Sequence, residues 1–412
     1  MDRQAQFTAW IERAETELCG NVLPFWLDHA VDRERGGFYG TISNDLVIDR
    51  DAPRGALLSS RILWTFSAAY RRYRRSEYLA MARHACDDLL AHFWDNEHGG
   101  LFWEIDAEGN VTKGRKQIYG QAFGIYALAE FFAASGEQAA LDRAIDLFHL
   151  VEQYSYDPLY GGYLEACTRD WQLEEDMRLS DMDRNEKKSM NTHLHVMEAY
   201  TNLRRVWGRD KVARDEIARD LIAHRHREMI DVMMTRIIDR ETAHTILFFD
   251  QDWPPKSDEI SYGHDIEASW LLVEAAEVDG DEALIREAKD LALRMAQAVY
   301  EQALDADGGL MYEAGPHGWV DDSKEWWPQA EAVVGFLNAY QLSAQAHFLD
   351  AALASWAFIE RYLIDRQHGE WFRGVHRDGT LKKDEFKVSF WKCPYHNGRA
   401  CMEIAERLRT LL

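Results

Sequence analysis

The chain has 412 residues, 47% of them hydrophobic and 12% aromatic, which is enough apolar material for a large core. Its net charge of −24 argues against nucleic acid or an anionic membrane surface as a partner, and suits a neutral ligand. The five cysteines have no paired spacing, as is typical of reduced thiols. The sequence shows neither a signal core near its start nor an apolar run long enough to cross a membrane, so we expect a cytoplasmic protein.

A turn led by glycine and followed by aromatic residues recurs along the chain. It begins at positions 36, 99, 161, 308 and 369, so the first three turns are 63 and 62 residues apart and the last two are 61 apart. The gap of 147 residues in the middle leaves room for one more repeat whose turn has changed, and residues 245–249 are its expected remnant. The sequence therefore predicts six repeats.

Each repeat also carries two stretches of apolar residues at helical spacing. We call them outer and inner helices according to their place in the repeat. The predicted outer helices cover residues 2–20, 77–95, 138–154, 211–233, 281–302 and 346–363, and the predicted inner helices cover residues 54–74, 117–134, 188–206, 262–278, 325–342 and 394–411.

Twelve helices in six repeats can stack as an open solenoid or close into a ring. Two features favour the ring. The repeat number is the one that an (α/α)6 barrel needs, and neither terminal repeat has the polar face of a capping repeat. No Pro/Ser-rich linker divides the sequence. We therefore predict an all-α fold, a single domain over residues 1–412, in which an (α/α)6 barrel of twelve helices carries short β-hairpins at one end.

One polar residue lies in a similar phase of each predicted inner helix. The six follow one another at intervals of 60, 74, 72, 64 and 66 residues, so a closed ring brings them to the same end of a central cavity. A charged or amide side chain facing a helical core is costly unless it is paired or serves a ligand. Any one of them could be a satisfied core group, but together they predict a shared ligand site. They are Arg61, Gln121, His195, Glu267, Glu331 and Asn397.

Aromatic residues accompany this predicted ring of polar groups. Trp326, Trp327 and Trp391 precede inner helices, where loops meet the mouth of the cavity. Flat rings beside amides, carboxylates and an arginine suit a sugar, which has apolar C–H faces and many hydroxyls. Most aromatic residues at helical spacing are core residues, so this signal is only supportive. The other aromatics near the ring are Trp64, Tyr119, Phe123 and Trp270.

Two histidines are candidates for proton transfer. His264 opens one inner helix, and His396 occupies the equivalent place two repeats later. Histidine titrates near neutral pH, so a pair that flanks one pocket can act as acid and base in turn. Glu267 lies three residues after His264, close enough on a helix to orient the imidazole.

The sequence gives little support for a metal site or for a nucleotide-binding site. His193 and His195 are two residues apart and point to different faces of a helix, and the sequence has no HExxH motif or Cys/His cluster. The glycines open hairpins, so no phosphate loop or dinucleotide fingerprint is present. We therefore expect neither a metal nor another cofactor.

Five motifs spread over nearly the whole chain resemble the cellobiose 2-epimerase family, within the wider N-acylglucosamine 2-epimerase superfamily. The resemblance implies an (α/α)6 barrel that inverts C2 of the reducing-end glucose of β-1,4-linked disaccharides without a cofactor. The context from Trp391 to His396 resembles the cellobiose 2-epimerases and distinguishes this chain from the monosaccharide branches of the superfamily. The motifs are RILW at 61–64, MNTHLH at 190–195, SYGHDIEA at 261–268, WWPQAE at 326–331 and WKCPYHNGR at 391–399.

The resemblance also implies roles for individual residues. His264 and His396 match the acid/base pair of the family, and Trp391 matches the platform for the second sugar ring. Pocket walls are implied for Tyr119 and for the pair Trp326 and Trp327. The groups that hold the open-chain sugar are implied to be Arg61, Asn191, His195, Glu267 and Glu331.

The candidate site residues fit a mechanism that passes through an enediolate. One histidine removes the C2 proton of the open-chain aldehyde, and proton return to the opposite face inverts the carbon. Charge that develops on O1 and O2 needs preplaced donors, a role for Arg61 and for His195. The substrate partner is a small disaccharide, cellobiose or lactose, and the protein is expected to be a monomer or a weak dimer.

Several alternatives remain open on the sequence. The chain could be an N-acylglucosamine 2-epimerase or an aldose–ketose isomerase of the same superfamily. It could also be an inverting glycosidase that uses Glu267 and Glu331, or a sugar-binding protein without catalysis. The charged segment 174–189 is a lid or, as we prefer, a solvated loop.

Overall fold

The computed structural model describes residues 3–207 and 216–412, and its helices alternate along the chain between an outer and an inner set. None of the described helices has the length and apolarity needed to cross a membrane. The outer helices are α1 (Arg3–Glu17) with α2 (Leu23–His29), α4 (Ser76–Asp88), α6 (Gln138–Tyr154), α8 (Glu216–Val232), α10 (Glu282–Gln302) and α12 (Ala346–Phe358). The inner helices are α3 (Ala56–Tyr73), α5 (Ile118–Ser135), α7 (Met190–Trp207), α9 (Tyr262–Asp279), α11 (Trp326–Ser343) and α13 (Tyr395–Arg409).

A short π-helical segment continues the outer helix in four of the repeats, and we call each continuous outer or inner helix a rod. One joins α1 to α2, so these two helices form a single rod and the described residues contain the twelve rods that the repeats predict. Residue 2 and residues 211–215 of the predicted outer helices lie outside the described residues. The π-helical segments are Leu18–Val22, Leu89–Phe93, Met233–Ile237 and Ile359–Leu363.

Fifteen short strands of the described chain lie at one end of the rods. A strand just before each inner helix pairs, antiparallel, with a strand of the neighbouring repeat. The strands are β1 (Thr41–Ser43), β2 (Ile48–Asp49), β3 (Arg54–Gly55), β4 (Glu104–Ile105), β5 (Val111–Lys113), β6 (Lys116–Gln117), β7 (Ala166–Cys167), β8 (Lys188–Ser189), β9 (Phe248–Phe249), β10 (Ile260–Ser261), β11 (Glu313–Gly315), β12 (Gly318–Asp321), β13 (Lys324–Glu325), β14 (Gly374–Val375) and β15 (Phe386–Val388).

The ring closes where the last repeat meets the first. Strand β15 pairs with β1, with Val388 opposite Ile42, and α13 packs against α1, α3 and α11. The indole of Trp371 also donates to Glu17 across this seam, over 2.8 Å. An open solenoid would leave these two surfaces apart, so the predicted (α/α)6 barrel is confirmed.

The inner helices are buried on nearly every side. Helix α9, for example, exposes neither an apolar nor a polar stripe over its first four turns, because it touches α7 and α11 laterally and α8 and α10 behind. Only the end of each inner helix next to the strands opens toward a central cavity. Polar side chains on these helices must therefore face a partner or that cavity.

Four of the five predicted turns share one geometry, and the fourth repeat has it as well, whereas the turn at 305–309 is one residue shorter. Ile238 bridges Thr245 as Trp94 bridges Leu101, which confirms the expected remnant. Ala243 there adopts φ +61°, the left-handed conformation that Gly99 adopts at the corresponding turn. The glycine pattern missed this repeat because an alanine accepts the strained conformation.

Buried ion pairs that sequence reasoning did not identify tie the turns to the strands. In four repeats, a lysine of the strand before the inner helix reaches the aspartate that opens the preceding turn, at 2.8–3.0 Å. The four lysine side chains are fully buried, so each ammonium depends on its carboxylate. The pairs are Lys116–Asp95, Lys188–Asp157, Lys324–Asp305 and Lys387–Asp365.

Removal of one such lysine should destabilise the protein. Lys188→Met would leave the carboxylate of Asp157, which is 2% exposed, without its cation, and we expect a loss of about 3 kcal/mol in the free energy of unfolding. Lys256→Met is the matched control, because Lys256 pairs with Asp250 at the surface and should contribute less than about 1 kcal/mol. Urea titration measures both. Equal losses in the two variants would contradict a structural role for the buried pair.

Candidate active site

A cavity of about 810 Å³ opens at the strand end of the ring, among the first turns of the inner helices. It brings together ten of the eleven residues that sequence reasoning assigned to the site. The eleventh, Glu331, lies behind the wall. The ten are Arg61, Tyr119, Asn191, His195, His264, Glu267, Trp326, Trp327, Trp391 and His396.

The two candidate acid/base histidines share one neighbour in this wall. The indole of Trp327 has its ring centroid 4.6 Å from that of His264 and 5.5 Å from that of His396. Nδ1 of His264 lies 2.7 Å from the hydroxyl of Ser261, one turn before it. The two imidazoles therefore face one cavity from different helices, as the spacing predicted.

His396 is oriented by a carboxylate from the neighbouring helix. Its Nδ1 donates to Oε1 of Glu331 over 2.7 Å, and Nε2 has no hydrogen-bond partner among the described residues. The other oxygen of Glu331 accepts from the indole of Trp270 at 3.0 Å. Glu331 therefore contacts the imidazole instead of the cavity, which differs from its expected place beside the sugar.

Burial sets the protonation of both histidines. It lowers the pKa of His264 to about 3, with the charges of His195 and His396 acting in the same direction. Burial also lowers the pKa of His396 to about 3, against the opposing hydrogen bond of Glu331. Both imidazoles are therefore neutral near pH 7, and each can accept a proton.

His195, on α7, also bonds a carboxylate through Nδ1, but the carboxylate belongs to its own helix. Its Nδ1 donates to Oε2 of Glu198 over 2.8 Å, and its ring packs between those of Tyr119 and Phe123. Burial lowers the pKa of His195, and Glu198 opposes that shift. With Nδ1 protonated, the neutral ring presents an acceptor to the cavity at Nε2, whereas the sequence hypothesis gave His195 a donor role.

Arg399 is the main residue of the site that the sequence argument did not assign. One of its terminal nitrogens bonds Glu267 at 2.6 Å and Glu331 at 2.7 Å, and the other bonds Glu198. Its guanidinium also lies 4.7 Å from the ring of Trp270. One cation thus balances three buried carboxylates from three helices.

The three carboxylates nevertheless differ in protonation. Burial and the nearby Glu331 hold the pKa of Glu267 well above its ordinary value, although Arg399 opposes the shift. Burial also acts on Glu331, but Arg399 and His396 outweigh it, so the pKa of Glu331 lies below its ordinary value. Glu267, which lines the cavity, is therefore a candidate neutral acid, and Glu331 is an ionised acceptor.

Besides Glu331, two more of the six residues predicted to share a phase do not reach the cavity. Gln121 clamps the backbone N–H and C=O of Leu101, both at 2.8 Å, and Asn397 donates to Glu370. They belong to a second series, two residues earlier on each inner helix, that holds the turns. His193, Asp265 and Gln329 also bind their turns, whereas Ser59, the member of the series on α3, donates to Asp88 of α4.

The series that does face inward consists of the positions two residues later. Because successive helical residues are about 100° apart, positions i and i+2 lie on nearly opposite faces. The motif at 391–399 includes Arg399, but spacing alone selected Asn397 in its place. The inward series is Arg61, Phe123, His195, Glu267, Glu331 and Arg399.

Arg61 is a buried cation with a different environment. Its Nη2 donates to the hydroxyl of Tyr119 at 2.7 Å, and the ring of Phe123 lies 4.4 Å from its Cζ. Among the described residues no carboxylate lies within ion-pairing distance of this guanidinium. A buried and unpaired arginine on a cavity wall is suited to an anionic group of a ligand.

Aromatic rings and one loop form the outer part of the cavity. Trp391 is half-buried and packs at 6.0 Å against Tyr119 and at 6.1 Å against Trp103. Segment 174–189 contributes much of the remaining wall, and Arg184 fastens it to Glu259 over 2.5 Å. The segment thus covers one side of the mouth, unlike the solvated loop that we preferred.

One group of residues has the chemistry of a metal site. Ligand atoms of Glu267, Glu331 and His396 lie within 4.8 Å of one another. The guanidinium of Arg399 bonds Oε1 of both glutamates, so a fixed cation already takes the place of a metal there. The donor set therefore fits a metal poorly.

The comparisons with known proteins identify the family. A profile of the N-acylglucosamine 2-epimerase family matches residues 37–397. The match spans most of the chain and includes every residue of the site but Arg399, which lies two residues past its end. The chain therefore belongs to the N-acylglucosamine 2-epimerase family.

Several members of this family are similar over nearly their whole length. The cellobiose 2-epimerase of Bacteroides fragilis is 46% identical over 95% of this chain and 98% of that protein. That of Dictyoglomus turgidum is 37% identical, over 95% of this chain and 97% of that protein. The structure of cellobiose 2-epimerase from Bacillus thermoamylovorans matches with a TM-score of 0.91 and 38% identity, over 97% of this chain and 100% of that one.

The buried imidazoles predict a titration that differs from that of an ordinary histidine. Since burial disfavours the charged form, the ring Cε1–H signals of His264 and His396 should not move between pH 8 and pH 5 in NMR spectra, whereas an unperturbed histidine titrates near 6.5. The His264→Asn and His396→Asn variants assign the two signals.

The direction in which pH changes the free energy of unfolding follows from the same lowering of the two pKa values. The unfolded chain binds these two protons below pH 6.5 and the folded chain does not, so both residues reduce the free energy of unfolding as the pH falls below that value. A titration midpoint between pH 6 and 7 for the Cε1–H signal of either histidine would contradict the prediction that both imidazoles are neutral in the folded protein.

Proposed function

We propose that this protein is an isomerase that inverts C2 of the reducing-end glucose of β-1,4-linked disaccharides, without a cofactor. Cellobiose would become glucosyl-mannose, and lactose would become epilactose. The family membership and the similarity to cellobiose 2-epimerases support this activity. The observation that carries it is the pair His264 and His396, two neutral imidazoles from different helices in one cavity.

The proposed reaction runs through an enediolate. Once the sugar ring is open, the carbonyl at C1 acidifies the proton on C2, and one imidazole removes it. The electron pair moves to O1, and the planar intermediate then receives a proton on its opposite face from the second imidazole, which has first taken up one proton from solvent, and this gives the mannose configuration. The first imidazole, now protonated, returns its proton to solvent. Two proton carriers from different helices suit this inversion, since each serves one face of the carbon.

Two groups of the wall are placed to stabilise the intermediate. Arg61 has no acidic partner in the part of the chain that the structure describes, so its charge is available for the oxyanion on O1 or O2. Glu267, with its raised pKa, can donate a hydrogen bond to a sugar oxygen while Arg399 holds its other side. Both groups act without the cost of reorganising water during the reaction.

Other residues have supporting roles in this proposal. Glu331 keeps the Nδ1 proton of His396 in place, so that Nε2 points its lone pair at the substrate. Asn191 and Tyr119 line the inner cavity beside the reducing sugar. Trp326 and Trp327 form its wall, and Trp391 offers a flat apolar face to the second ring.

The geometry argues against an inverting glycosidase. The oxygens of Glu267 and Glu331 that face one another lie within 4.8 Å, whereas an inverting pair needs about 6.5–9.5 Å to admit water. Both glutamates also bond the same nitrogen of Arg399. This pair therefore cannot flank a scissile bond from opposite sides.

An incubation with cellobiose in D2O, with EDTA present, tests the proposal. We expect deuterium at C2 of the reducing sugar, an intact glycosidic bond and a mannose-ended product. Free glucose would point to a hydrolase, a fructose-ended product to an isomerase, and an unchanged sugar to a binding protein. Parallel assays on lactose and N-acetylglucosamine distinguish the disaccharide from the N-acyl monosaccharide activity.

Substitution of each histidine should separate the two faces of C2. We expect His264→Asn and His396→Asn each to lower epimerisation by at least about 10²-fold, because one proton carrier is lost. Each variant should still exchange the C2 proton of one epimer with D2O, and the two variants should differ in which epimer. His29→Asn, on an exposed histidine, is the control. Near-normal epimerisation in either variant would contradict the scheme with two bases.

Trp391 should matter for the second sugar only. Trp391→Ala removes the apolar platform, and we expect kcat/KM for cellobiose to fall about tenfold or more, whereas slow C2 exchange on free glucose changes less than about threefold. Trp391→Phe keeps a flat ring and should retain most of the disaccharide activity. Equal losses on both sugars would remove the assignment of Trp391 to the outer subsite.

We further propose one domain over residues 1–412, a cytoplasmic location and a monomer or weak dimer in solution. All five cysteines are free thiols, which suits a reducing compartment. The closed ring satisfies the pairing edges of its terminal repeats within one chain. Light scattering across a dilution series tests the oligomeric state.

A further inference from the structure

Glu198 is a buried carboxylate that neither the reaction scheme nor the sequence motifs include. It lies on α7 one turn after His195, is 4% exposed and does not line the cavity. A carboxylate in such a place is costly unless its oxygens are fully bonded. Its contacts therefore indicate what it does.

The two oxygens of Glu198 serve different groups. Oε1 accepts from the hydroxyl of Tyr395 and from Nη1 of Arg399. Oε2 accepts from Nδ1 of His195 at 2.8 Å. Both groups at Oε1 act as donors, because an arginine nitrogen can only donate and the hydroxyl of Tyr395 donates its O–H to the same oxygen.

The protonation of this carboxylate is well defined. Burial raises the pKa of Glu198, but Arg399 and His195 outweigh that effect, so the pKa lies below its ordinary value. An ionised carboxylate can only accept, so Nδ1 of His195 must carry the hydrogen. In the neutral ring, Nε2 then has a lone pair, and among the described residues it has no hydrogen-bond partner.

We propose that Glu198 is a positioning residue of the epimerase reaction, which holds His195 in the Nδ1–H tautomer so that Nε2 accepts a hydrogen bond from a sugar hydroxyl. This role rests on the proposed function for its meaning in catalysis, but the tautomer itself does not. His195 thereby contributes an acceptor to a wall where Arg61 is a donor. Together, the acceptor of His195 and the donor of Arg61 can form hydrogen bonds with hydroxyl groups along one edge of the substrate.

The Glu198→Gln substitution is a sharp test because an amide has one acceptor and one donor end. Arg399 and Tyr395 both need an acceptor, so the amide oxygen should stay on their side. The amide NH2 then faces Nδ1 of His195, which must become the acceptor, and the imidazole proton moves to Nε2. The substitution thus inverts the tautomer with almost no change in shape.

The experiment combines NMR with kinetics on the full chain. Long-range 1H–15N spectra of 15N-histidine-labelled protein, assigned with His195→Asn, should show Nδ1–H in the native protein and Nε2–H in Glu198→Gln. Epimerisation of cellobiose should fall about 10- to 100-fold in kcat/KM, the usual cost of losing a residue that orients a catalytic-site imidazole.

Two further variants keep the test independent of folding. Glu130→Gln is the matched control, because Glu130 is also 4% exposed and bonds Arg71 and Asn202 far from the cavity, so neither the His195 spectrum nor kcat/KM should change. If Glu198→Gln does not fold, Glu198→Asp keeps the charge beside Arg399 but withdraws it from Nδ1, and the native tautomer should lose its dominance.

The outcomes separate the two proposals. An Nε2–H tautomer in the native protein, or native kcat/KM in Glu198→Gln after the tautomer has inverted, would overturn the role of Glu198. A native protein that inverts no disaccharide but shows the Nδ1–H tautomer would overturn the proposed function alone. Equal losses in Glu198→Gln and Glu130→Gln would reduce Glu198 to a structural residue.

Discussion

The site depends on one buried cation. The guanidinium of Arg399 holds carboxylates from α7, α9 and α11 (Glu198, Glu267 and Glu331), which would otherwise repel one another in a medium of low dielectric constant. Through these carboxylates it also fixes two imidazoles, because Glu198 orients His195 and Glu331 orients His396. Its charge thus favours the ionised state of Glu198 and Glu331 and, through them, the direction in which the two bases point.

The repeat explains how a scaffold of plain helices supplies such a site. Each inner helix carries two functional positions separated by two residues, and therefore on nearly opposite faces, and all of them are polar except Phe123 on α5. In five units the earlier position binds the turn of its own unit, as Gln121 binds Leu101, and in all six the later position faces the centre of the ring. Six copies of this arrangement place six side chains around one axis, and the surrounding bonds hold each helix in register.

Much of the fold was predictable because it is periodic. Turn spacing and helical patterning gave six units, their helices and the ring, and the histidine positions followed from the helix starts. The choice between Asn397 and Arg399 was not predictable from spacing, since loop lengths differ between units and a shift of two residues reverses the face. The lysine–aspartate pairs were missed because isolated charged residues in short strands resemble surface residues. The wall formed by segment 174–189 depends on contacts such as Arg184 with Glu259, which no local pattern encodes.

The place of α13 in the chain has a consequence for synthesis. A ribosome makes Glu198, Glu267 and Glu331 before it makes Arg399, and β15 can pair with β1 only after nearly every other residue has emerged. A nascent chain that has acquired five units therefore exposes the lateral surfaces of α3 and α11 and carries three acids without their counter-charge. Completion of the ring and the arrival of the counter-charge therefore both depend on the last helix, α13.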